Sequence, residues 1–110
     1  MSPEDFVAMY AQKFGATLAE ALRTYPENGA TVVASRTMGV GVITKACGAF
    51  LQPDSSVARL VVREPEMIMY AQALSAWLPK QFPDGMAVVE RYVPTPCSDT
   101  DLLRISLRPQ

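Results

Sequence analysis

The sequence predicts an α+β domain in which helices cover one face of a small, mainly antiparallel sheet. Three observations carry this expectation. An amino-terminal stretch places apolar residues at helical spacing. Two later runs, Met86 to Val93 and Leu102 to Leu107, read as strands. Four clusters of Pro, Gly, Asn, Asp and Ser punctuate the chain, and none is long enough to be a domain linker. The expected order is α-α-β-α-β-β, with three strands. With no internal repeat and no low-complexity tract, residues 1–110 are expected to pack as a single domain around one core.

The first helix is the plainest element. Phe6, Val7, Tyr10, Phe14, Leu18, Ala21 and Leu22 recur at helical spacing, while Gln12, Lys13, Glu20 and Arg23 fall on the other side. Ser2 is the expected cap, Pro3 suits the first turn, and Asp5 completes an S-x-x-D capping box. Pro26 stops the helix, which therefore runs from about Pro3 to Thr24.

The second segment has two readings. Met38, Val42, Ile43, Ala46, Cys47, Phe50 and Leu51 fit one helical stripe with Ser35 as its cap, and period-two alternation fails at Val42-Ile43 and Ala46-Cys47. The helix is therefore the preferred reading, although Gly39, Gly41 and Gly48 each cost it about 1 kcal/mol relative to alanine. The alternative takes Thr31 to Ala34 as one strand and Val40 to Leu51 as another. After the Pro53 loop, Val57 to Arg63 alternates as a strand, and Glu64-Pro65-Glu66 opens a helix running to Leu78. The connection between the last two strands, Pro94 to Asp101, is short enough for an antiparallel hairpin with a polar tip.

With the strand alternative for residues 31–51, the order becomes α-β-β-β-α-β-β. That order resembles the small acidic dimeric chaperones of bacterial type III secretion, which bind an effector segment. The resemblance covers most of the chain by element order and not by any motif. The final helix usual in that family has no counterpart in these 110 residues.

Composition narrows the chemistry. Ten Lys and Arg stand against eleven Asp and Glu, for a formal charge of −1, so no net field draws the protein to nucleic acid or an acidic membrane. Nucleic acid is accordingly not the expected partner. These residues contain no histidine, which removes imidazole bases, histidine switches and histidine metal ligands. Met1-Ser2-Pro3-Glu4-Asp5-Phe6 carries acids where a signal peptide carries bases, and no apolar run approaches the roughly 20 residues of a membrane span. A cytoplasmic protein without a membrane segment is expected. Cys47 and Cys97 have neither the number nor the spacing of a disulfide framework or zinc site, so they read as free thiols.

Candidate sites are few. Gly39-Val40-Gly41 fails the dinucleotide pattern, because its third glycine position is Thr44. Asp99 and Asp101 raise the thiol pKa expected for Cys97, and two carboxylates alone make a poor cation site. No catalytic residue, cofactor or metal site is expected. Arg59 with Arg63, and Arg104 with Arg108 across Ser106, would each share one side of a strand. They form a possible anion-binding set, set against the plainer reading that they solubilise an open sheet face with Glu90 among them. The helix of residues 65–78 is apolar nearly all round. Met67, Ala71, Leu74 and Leu78 suffice to seat it, so Met69, Tyr70, Ala73 and Trp77 are expected to meet a partner, the alternative being that the domain's other helices bury this flank themselves. The leading expectation is a small non-enzymatic binding or regulatory protein, acting as a homodimer or on a protein partner. One alternative is an arginine-faced binder of phosphorylated ligand or nucleic acid. The other is a small enzyme or small-molecule carrier with a pocket between helices and sheet.

Overall fold

The computed structural model describes residues 2–45, 49–51, 64–82, 84–94 and 101–109. Helix α1 spans Pro3–Thr24. Strands β1 (Ala30–Ser35), β2 (Gly39–Thr44) and β3 (Ala49–Leu51) follow, then helix α2 (Glu64–Trp77) and strands β4 (Met86–Tyr92) and β5 (Asp101–Pro109). Among the described residues the class is α+β, with a five-stranded sheet in the order β3-β2-β1-β5-β4. Every neighbouring pair is antiparallel.

Helix α1 matches its sequence signals. Ser2 Oγ accepts the Asp5 N–H at 3.1 Å, Pro3 occupies the first turn, and the Tyr25 N–H closes the end on the Ala21 carbonyl. Phe6, Tyr10, Leu18, Ala21 and Leu22 are buried, while Phe14 packs half-buried against the core.

Residues 38–51 correct the preferred helix and the strand count. Gly39–Thr44 and Ala49–Leu51 are two strands, so the run Val40 to Leu51 is neither one helix nor one strand. The described elements follow α-β-β-β-α-β-β, but with this internal break; the strand expected over Val57 to Arg63 lies outside the described residues. The alternation failed for a physical reason. Strand β2 lies between β1 and β3, and Val40, Gly41, Val42 and Thr44 are all buried, so residues of both parities are covered. Ser35 also changes role. It ends β1, and its Oγ accepts the N–H groups of Thr37 and Met38 at 3.3 Å each. This is cap-like chemistry serving a turn, after which Gly39 takes φ +88°.

The strand registers sort the sheet's two faces. Ala30, Val32 and Ala34 stand opposite Leu107, Ile105 and Leu103, and Val32 and Ala34 stand opposite Val42 and Val40 on the other side. These residues share one buried cluster with Phe6, Tyr10, Tyr70, Leu74 and Leu78, which puts both helices on this face. Helix α2 lies on β1, β2 and β5, and α1 packs against α2. Two links tie the layers at their edges. The Tyr10 hydroxyl donates to the Leu51 carbonyl at 2.7 Å, and Arg36 in the β1–β2 turn pairs with Glu64 at the start of α2 at 2.6 Å.

Candidate interaction surface

The residues of α2 divide differently from the sequence expectation. Tyr70 is only 4% exposed and stacks on Phe6, with ring centroids 4.5 Å apart and planes 6° from parallel. Trp77 is half-buried and meets Tyr10 edge-on at 6.2 Å. The aromatic flank expected to face a partner is therefore covered by α1 of the same chain. One amphipathic helix packed against α2 gives the second apolar flank its cover. Ala73 is half-buried, and Met69, 50% exposed, is the member of the set that stays outside. Burial pushes the Tyr70 phenol above its usual range, and the carboxylates of Glu66 and Asp5 act in the same direction.

The arginines fall on the other face of the sheet. Arg104 stands opposite Val33 and Tyr92, Ser106 opposite Thr31 and Glu90, and Arg108 opposite Ala87. The Thr31 and Ser106 hydroxyls lie 3.4 Å apart, as residues sharing a face should. Arg104 and Arg108 thus flank Ser106 as the spacing predicts, while Arg59 and Arg63 lie outside the described residues. Both described arginines already have acceptors. Arg104 donates through Nε and Nη2 to Asp101 Oδ2, at 3.0 and 2.8 Å, and Arg108 donates to the Glu27 carbonyl at 3.4 Å. Glu90 sits between them one strand over, so the local charge is close to balanced.

Strand β4 presents a different surface. It pairs with β5 on one side and ends the sheet order on the other. Val88 is 61% exposed, Val89 60%, Tyr92 43%, and Val93, just beyond the strand, 59%. The register with β5 slips between Val88 and Glu90, leaving Val89 as a bulge. Val88 and Arg91 stand opposite Leu107 and Ile105 on the helix-covered face, yet both are exposed, because the cover thins out beyond Met86. Glu90 and Tyr92 point to the second face. Among the described residues no strand pairs with the outer side of β4, so apolar side chains on both of its faces lie beside a backbone edge that can serve as a template for another strand.

Sequence reasoning identified this strand but not its exposure. The signal available was the adjacent pair Val88-Val89, which puts aliphatic residues at both parities just before Glu90 and Arg91. Whether such a pair is interior or at an edge depends on which strand joins β1, and that is a long-range choice.

A cleft of about 490 Å³ opens between the last turn of α1, the turn before β4, and the end of β5. Leu22, Pro26, Phe82 and Met86 form much of its wall, with Arg23 and Asp84 adding one charge of each sign. Its walls join the end of α1 to the start of β4 and the end of β5. Among the described residues, no group of three or more Cys, Asp and Glu side chains is placed to hold a metal ion, and no helix is long and apolar enough to cross a membrane. No protein-family model, curated protein or solved structure matches the chain.

Proposed function

We propose that this chain is a non-enzymatic binding protein that self-associates through β4. The observation supporting this reading is the exposed apolar set Val88, Val89, Tyr92 and Val93 on and beside an edge strand. Two copies related by a twofold axis would bring their β4 edges together antiparallel, joining two five-stranded sheets into one. The pairing would satisfy edge N–H and C=O groups and remove aliphatic surface from water in one step. Glu90 and Arg91 cancel in charge, so the edges carry no net repulsion. The apolar edge replaces the Tyr70 and Trp77 flank as the contact, since α1 already covers those rings.

Sedimentation across the micromolar range tests the reading, with wild type beside Val89→Lys and Val88→Lys. Lysine on an edge strand opposes pairing without emptying a core position. The expected result is a wild-type dimer and monomeric variants whose circular dichroism and melting match the wild type. A wild type that stays monomeric throughout would overturn the reading, as would folded variants that remain dimeric.

A further inference from the structure

We draw no further inference here: the strongest candidate beyond the β4 edge, the cleft between the end of α1 and the start of β4, is an open apolar recess rimmed by Arg23 and Asp84, and nothing in the structure shows what would fill it.

Discussion

Replacing Gly29 by alanine should destabilise this fold strongly, whereas the same methyl added at Gly15 should not. Gly29 joins the short turn Pro26–Asn28 to β1 with φ +62° and ψ −161°, a region open in practice only to glycine. Forcing an L-residue into it costs about 1 to 3 kcal/mol. The new methyl also meets backbone, not a yielding side chain. Its Cβ would lie 2.3 Å from the Leu107 carbonyl oxygen and 3.1 Å from Arg108 Cγ. Strand β5 cannot easily retreat, because it is paired with β1 on one side and β4 on the other, with Leu107 opposite both Ala30 and Val88. Relief must come from the turn, at the expense of the Gly29 N–H bond to the Pro26 carbonyl. Alanine returns only about 0.4 to 1 kcal/mol by stiffening the unfolded chain. The net expectation is a loss of about 2 to 4 kcal/mol, or a melting temperature lower by about 10 to 20 °C. Gly15 supplies the internal control. It lies within α1 with nothing inside 4 Å of a built Cβ, so Gly15→Ala should stabilise by about 0.5 to 1 kcal/mol. Urea and thermal unfolding of both variants measure the pair. If Gly29→Ala costs under about 1 kcal/mol with an unchanged denaturant slope, the argument from backbone strain and the β5 contact is refuted.

Other consequences of the packing are open to the same measurements. Tyr10→Phe keeps the ring and removes the hydroxyl that holds the Leu51 carbonyl, so urea unfolding should show a loss of about 1 to 2 kcal/mol. Ser35→Ala deprives the Thr37 and Met38 N–H groups of their acceptor in the β1–β2 turn. It should cost about 1 kcal/mol and raise amide exchange at those two positions first. Tyr70 governs an alkaline effect. Its folded pKa is raised, so the unfolded chain gives up this proton first as pH climbs past about 10. The stability it confers is complete below that value and is lost as pH rises towards the raised folded one. Wild type should lose stability over this window relative to Tyr70→Phe, and parallel pH profiles for the two would contradict the assigned burial.

Local chemistry accounts for what the sequence determined unaided. The first helix follows from Ser2, Pro3, Asp5 and Pro26, all within a turn of the ends they specify, and from the stripe Phe6, Val7, Tyr10, Phe14, Leu18, Ala21 and Leu22 along the core-facing side. Helix α2 and the β4–β5 hairpin are legible for the same reason, since periodicity and turn residues act over short separations. Residues 38–51 are not legible in this way. Their helical stripe and their strands are close in local preference, and the decision falls to the ladders with β1 and to burial on both faces of β2. Tyr70 and Trp77 have the same long-range character. An aromatic flank looks alike whether it awaits a partner or a helix of its own chain, and α1, some 60 residues earlier, is what covers it. The pairing of β5 with β1 instead of β4 with β1 is likewise a tertiary choice. It places Leu103, Ile105 and Leu107 in the centre of the core and leaves Val88, Val89 and Tyr92 at the rim, because a sheet buries most completely the strand that has neighbours on both sides.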